Sequence, residues 1–244
     1  MVIAAPLQRI TVLLGLWALV LQLSPATLRA QRQPVQVGLS YFGASYVGDL
    51  NKTVEVLHRY YPGVNVSLQF DSPRRLYMQL NIGGGSFIAQ DRTLGPSELG
   101  IQPNTFVDTR YVYGDLRAKI RLIREAAVRP HLGLGIGFFN FTPRDAQGRD
   151  LSPNASTRAP GETYGSTTAM FPITAGALWR VNRIVSIGLD YNVFFIASDY
   201  LDNVSQLGAR SGNDWLHGLQ LGAYFSFHPE IKRGKAGKSD LLLF

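Results

Sequence analysis

The chain has 244 residues, a length that suits one domain or one membrane barrel with short appendages. Charged residues make up 17% of it, against roughly 25% in an average soluble protein, while hydrophobic content is an ordinary 45%. The net charge of +7 is modest and scattered, which argues against nucleic acid as a partner, and with no cysteine the chain can form neither a disulfide nor a thiolate metal site.

In chain order, the first thirty residues read as a secretory signal. Arg9 closes a short n-region, residues 10–23 are apolar, and "SPATLRA" offers cleavage after Ala30. The apolar run falls short of the ~20 residues a spanning helix needs. The expected layout is a signal peptide over 1–30, an outer-membrane barrel over 31–228 and a basic tail over 229–244.

Beyond Gln31 the recurring period is two. In "VNVSLQFD", Val64, Val66, Leu68 and Phe70 alternate with Asn65, Ser67, Gln69 and Asp71, one face apolar and one polar. This pattern predicts strands near 35–46, 64–71, 75–90, 105–123, 129–141, 169–181, 184–197 and 214–228. The connections alternate: 47–63, 91–104, 142–168 and 198–213 are long, whereas 72–74, 124–128 and 182–183 are short. An even number of strands joined this way predicts an all-β fold, an eight-stranded up-and-down antiparallel transmembrane β-barrel of the outer membrane, with both termini periplasmic. A soluble barrel would share the period. However, the polar rows carry mostly Gly, Ser, Asn, Gln and Tyr, and the centres of the apolar rows avoid Lys and Arg, which suits a crowded interior and a lipid-facing exterior.

"HLGLGIGFFNF", residues 131–141, tests the reading. A nucleotide-binding loop would lead into a helix, and none is indicated here. As a strand, it puts Leu132, Leu134, Ile136 and Phe138 on the lipid side and Gly133, Gly135 and Gly137 inside. The glycines leave room for the fourth strand's inner row, Tyr111, Tyr113, Asp115, Arg117, Lys119 and Arg121. A buried charge without a partner is costly, so ion pairs are expected inside among Asp115, Arg117, Lys119, Arg121 and Asp190.

No catalytic, cofactor or metal site is expected. His58 and His217 fall at the long-loop side, and His131 and His228 at the short-turn side on strands about half a barrel apart; no site shared by two histidines is expected, and His131 reads as a hydrogen-bonded interior or rim residue. "SDYLDN" lacks the full oxygen spacing of a calcium loop. In the last strand, "QLGAYFSF" is similar to the signal that closes outer-membrane barrels. The tail that follows carries Lys232, Arg233, Lys235 and Lys238 before an apolar end, and reads as a plain periplasmic extension or as a docking peptide.

Two loop stretches add a resemblance. Gly43, Ser45, Tyr46, Gly48 and Asp49 in "YFGASYVGDL", with Asp199, Tyr200, Leu201, Asp202, Val204 and Ser205 in "SDYLDNVS", resemble the small outer-membrane barrels typified by PorG of the type IX secretion system. "FFNFTP" in the fifth strand is also similar. Asn203 departs from the family's usual Asp, and "RAPGETYG" only faintly matches its acidic third loop. The resemblance implies a non-catalytic barrel in outer-membrane lipid that contacts a periplasmic ring lipoprotein and its partner in protein secretion or gliding. The residues themselves also leave open a lipid-modifying barrel enzyme or a small pore or adhesin. In the "SDYLDNVS" loop, Tyr200 is expected to anchor at the membrane interface, while Asp199 and Asp202 cap loop amides over the barrel mouth.

Overall fold

The structure, a computed structural model, describes residues 35–51, 60–70, 75–98, 100–123, 126–208 and 212–227. The expected signal peptide and basic tail lie outside these residues, as do His58 and His228. Eight strands form one closed antiparallel barrel in chain order: β1 (Val35–Val47), β2 (Tyr61–Phe70), β3 (Leu76–Gln90), β4 (Phe106–Arg121), β5 (Val128–Arg144), β6 (Thr167–Arg180), β7 (Val185–Ile196) and β8 (Trp215–Phe227). Closure is made by β1 and β8, which pair from Val35 opposite Phe227 to Val47 opposite Trp215. A closed ladder leaves no unpaired strand edge, which a barrel in lipid requires.

Two strands exceed their expected length by more than one residue. β2 starts at Tyr61, where Tyr61, Pro62 and Gly63 continue the pairing with Ala44, Gly43 and Phe42. β5 runs on through "TPR" because β4 rises beside it, Thr109 opposite Pro143 and Asp108 opposite Arg144. It ends in a tight turn in which the Asp145 carboxylate accepts the Gln147 and Arg149 amides and Gly148 adopts φ 78°.

The barrel is inside out relative to a soluble domain. On β5, Leu134 is 67% exposed, while on the neighbouring inner row Arg117 is 1% exposed. Val64, Val66, Ile82, Val112, Ile136, Ile173, Leu189 and Leu221 line the outside with Leu134. Gln69, Gln79, Asn81, Asp115, Lys119, Asp190, Asn192 and Gln220 are buried within. The apolar rows therefore face outward.

The interior has two layers, where the sequence suggested one polar filling. Toward the short turns it is polar. Toward the long loops it is aromatic: Phe42 meets Phe194 edge-on, Phe194 meets Tyr113, and Tyr111 stacks on Phe139. The contact between Phe194 of β7 and Tyr113 of β4 spans the lumen. Arg117 joins the layers, its guanidinium 5.4 Å from the Phe194 ring centre.

Candidate functional site

The long loops close one mouth of the barrel, and the two motif stretches meet there. The loop after β7 folds inward so that Leu201 is fully buried; its carbonyl accepts the Thr109 hydroxyl at 2.6 Å and its amide donates to Asp214 Oδ2 at 2.9 Å. Tyr46, on the inner row of β1, brings its hydroxyl 2.6 Å from Asp202 Oδ2 and 2.8 Å from Asp214 Oδ1. Asp202 also accepts the Leu50 amide at 3.1 Å and the Val204 amide at 2.9 Å. A phenol has one proton to donate, so two short oxygen contacts require a second proton on one of the carboxyls. Burial supplies the reason it stays: it pushes the Asp202 carboxyl up to about 7, and it drives Asp214 well above the usual range with the neighbouring Asp202 charge adding to the effect.

The glycines of this cluster are set by close approach. A Cβ on Gly48 would overlap the Tyr46 hydroxyl and Asp214, and one on Gly208 would overlap the Asp49 carboxylate. Asp49 is buried with them, and Asp199 accepts the Ser205 hydroxyl at 3.0 Å. Gly43 and Ser45 belong elsewhere. They lie on the outer row of β1, where Gly43 approaches Tyr60 and Ser45 stands opposite His217.

Tyr200 does not anchor at the membrane interface. The loop turns its ring inward, where it stacks on Tyr164 at 4.5 Å, and its hydroxyl lies 3.5 Å from Glu162 Oε1. The third long loop thereby clamps the fourth: Glu162 accepts the Gln206 amide, and Tyr164, whose hydroxyl burial pushes up to about 12, donates to Asn203 Oδ1 at 2.7 Å. Asn203 occupies the left-handed region with φ 62°, which Asn tolerates better than most residues, and its side-chain amide donates to Thr157 Oγ1 at 3.1 Å. Sequence reasoning singled out neither Asp214 nor Glu162. The signal for Asp214 was its place just before β8, opposite the β1 end that carries Tyr46.

The second polar cluster fills the short-turn half. Arg117 grips Asp115 with two bonds, Nε to Oδ1 at 2.7 Å and Nη2 to Oδ2 at 2.8 Å, and donates through Nη1 to Thr174 and Asn192. Lys119 pairs with Asp190 at 3.0 Å, and His131 contacts the other Asp190 oxygen at 2.8 Å. Arg121 stacks over the Tyr77 ring at 4.4 Å. Four of these charges stand opposite a glycine, Asp115 opposite Gly137, Arg117 opposite Gly135, Lys119 opposite Gly133 and Asp190 opposite Gly176, whereas Arg121 stands opposite His131.

His217 sits alone on the outer row of β8, buried among Tyr60, Tyr191 and Trp215, with Nδ1 3.0 Å from the Tyr191 hydroxyl. Among the described residues, no group of His, Asp and Glu side chains is arranged to hold a metal ion.

A closed eight-stranded ladder with an apolar outer wall and an interior that buries the ion pairs Arg117–Asp115 and Lys119–Asp190 defines a transmembrane β-barrel of the outer-membrane kind. Solved structures with this fold include neisserial surface protein A, at 12% identity and a TM-score of 0.53 over 79% of this chain and 97% of that one. They also include Ail of Yersinia pestis in complex with the heparin analogue sucrose octasulfate, at 11% identity and a TM-score of 0.46 over 81% and 100% of the two chains. OprG of Pseudomonas aeruginosa matches at 10% identity and a TM-score of 0.45 over 80% and 95%. The sequence matches no protein-family model and no curated protein.

Proposed function

We propose that the chain is a non-catalytic outer-membrane barrel, a structural component of a type IX protein-secretion or gliding apparatus. In this reading both termini face the periplasm, and the barrel contacts a ring lipoprotein and its partner there. The observation that carries it is the convergence of Tyr46, Gly48 and Asp49 with Leu201 and Asp202 into one buried, hydrogen-bonded seal. The motif residues that resemble the secretion family are spent on holding loops in place, as a scaffold needs, and the aromatic layer across the lumen argues against a pore. Capture of the tagged chain from solubilised outer membranes tests the reading. Co-purification of periplasmic ring proteins supports it; a barrel recovered without them, from cells whose secretion and gliding are unchanged by its deletion, overturns it.

One observation favours a second reading, a lipid-modifying enzyme: Ser45 and His217 face each other across β1 and β8 on the lipid side. The first reading is preferred because the hydrogen-bond partner of His217 is a phenol rather than the carboxylate that orients a catalytic histidine. Under it, Ser45→Ala and His217→Gln leave membrane lipid composition unchanged.

A further inference from the structure

The second and third long loops, between β3 and β4 and between β5 and β6, flank a cleft of about 640 Å³ beside the loop seal. Sites for small molecules run from about 300 to 1,000 Å³. Both walls are held from behind. On one side Gln102 Nε2 donates to the Leu94 carbonyl at 3.0 Å, and Leu94 packs against the buried aromatic layer. On the other, Ser156 donates its hydroxyl to Asn154 Oδ1 at 2.7 Å, and Thr157 Oγ1 accepts the Asn203 side-chain amide at 3.1 Å, which ties this wall to the fourth loop.

The lining keeps uncharged hydrogen-bonding capacity free. Asn104 Nδ2 is shielded from solvent and has no hydrogen-bond partner. Such a donor is unfavourable until an acceptor reaches it. The Thr105 hydroxyl makes no hydrogen bond among the described residues either. Gln102 spends its Nε2 on backbone carbonyls and Gln147 spends its Oε1 on Arg149, so the Oε1 of the first and the Nε2 of the second are left over. Charge, by contrast, is absent or spent: no Lys or Arg lines the cleft, and the carboxylate of Asp145 pairs with Arg149 Nε at 2.7 Å. Ile101, Pro103 and Phe106 add apolar surface, interleaved with the polar groups along the chain.

We propose that this cleft binds an uncharged saccharide. A sugar hydroxyl both donates and accepts, so a row of them meets the unused donors of Asn104 and Gln147 and the acceptor of Gln102, while the C–H face of the ring lies on the apolar surface. A phosphate or an acidic glycan would find no free cation in the lining. A peptide strand would need an open ladder edge, and the closed barrel offers none. The sugar can belong to a free oligosaccharide or to the polysaccharide of a membrane glycolipid, and the test separates the two. The inference goes beyond the proposed function and rests on the cleft alone, so either can fail while the other stands.

The test uses the full chain folded in detergent. In the first arm maltotriose, mannotriose and chitotriose are followed by saturation-transfer NMR, and binding of any of them supports the site with a free sugar. In the second, smooth and deep-rough lipopolysaccharide are added, and retention of the smooth form alone supports it with the membrane's own polysaccharide. In whichever arm binds, Asn104→Ala combined with Gln147→Ala weakens binding about tenfold, the scale of two neutral hydrogen bonds, while Asn213→Ala, in the fourth long loop and outside the cleft, leaves it unchanged. A heat-dependent gel shift verifies folding, and each single variant is measured if the pair does not fold. Silence of both arms overturns the proposal. So does binding undiminished by the variants, or tighter binding of dextran sulfate than of dextran, which would assign recognition to charge elsewhere on the loops.

Discussion

Replacing Tyr46 with Phe removes one oxygen from the loop seal and little else. The ring of Tyr46 lies flat on Phe87, 4.6 Å between centres and 3° from parallel, and a phenyl ring keeps that stack. What disappears is the group shared by Asp202 and Asp214, both fully buried. A buried polar group that loses its partner costs about 1–3 kcal/mol, and two are affected, so Tyr46→Phe is expected to destabilise the barrel by about 3 kcal/mol, or about a hundredfold in the unfolding equilibrium. Urea unfolding from lipid vesicles, read by tryptophan fluorescence, measures it, with Trp215 directly beside Asp214 as a local reporter. A loss under about 0.5 kcal/mol would mean that the two carboxyls do not depend on the phenol, and the shared-proton account would be wrong.

The same cluster fixes the sign of a pH effect. Asp202 titrates near 3.8 when unfolded and at about 7 in the folded cap, so the folded state holds the extra proton. A carboxyl raised in this way contributes its stability in full below the unfolded value, and that contribution is lost as pH rises toward the folded one. The neighbouring acids come from the first and fourth long loops and push in the same direction, Asp49 on Asp202, and Asp202 and Asp199 on Asp214. Loop proteolysis of the wild type is therefore faster at pH 8 than at pH 5 with a protease of matched activity, and Tyr46→Phe, already loosened, shows the smaller difference. Slower cleavage at pH 8 would reverse the argument.

Three further outcomes test the wall and the interior. Gly135→Ala sets a Cβ 2.5 Å from the Leu116 carbonyl and 2.9 Å from Arg117 Cγ, an overlap expected to cost about 1–3 kcal/mol and to lower the temperature of the gel shift. Arg117→Met leaves Asp115 buried without its guanidinium and costs about 3–5 kcal/mol, while adding Asp115→Asn recovers part of the loss; a double variant as unstable as the single would show that the pair is not coupled. Leu134→Arg, at the most exposed point of the outer row, costs about 2–4 kcal/mol in a bilayer if that row meets hydrocarbon, and an unchanged stability in vesicles would remove the membrane reading.

The barrel wall was legible because period-two alternation reports which face a side chain takes, and every face assignment on the "HLGLGIGFF" strand agrees with the structure: Leu132, Leu134, Ile136 and Phe138 out, the glycines in against Lys119, Arg117 and Asp115. Alternation carries no information about height along the barrel axis. The change from a polar to an aromatic interior therefore stayed hidden, although "FF" at 138–139 and at 194–195 already placed one ring on each face. The charged pairs were partly legible for the same reason: Arg117 and Asp115 share a row, whereas Arg121 shares one with them but ends beside Tyr77, whose height only the register reveals.

The loop seal shows a different limit. Tyr46, Asp202 and Asp214 are joined by contacts across more than 150 residues of chain in the case of Tyr46 and its two acids, and no local pattern encodes them. Their meeting follows once closure of β1 on β8 is known, because Val47 opposite Trp215 sets Gly48 beside Asp214, and a glycine is the residue that lets the phenol and carboxyl approach there. Tyr200 failed as an interface anchor on the same ground: the buried Leu201 next to it pulls the loop over the mouth, and the ring follows inward onto Tyr164. In a barrel of this kind the first and last strands must be read as neighbours before the loops between the others can be placed, since the pair that closes the wall also fixes which loop ends share a height.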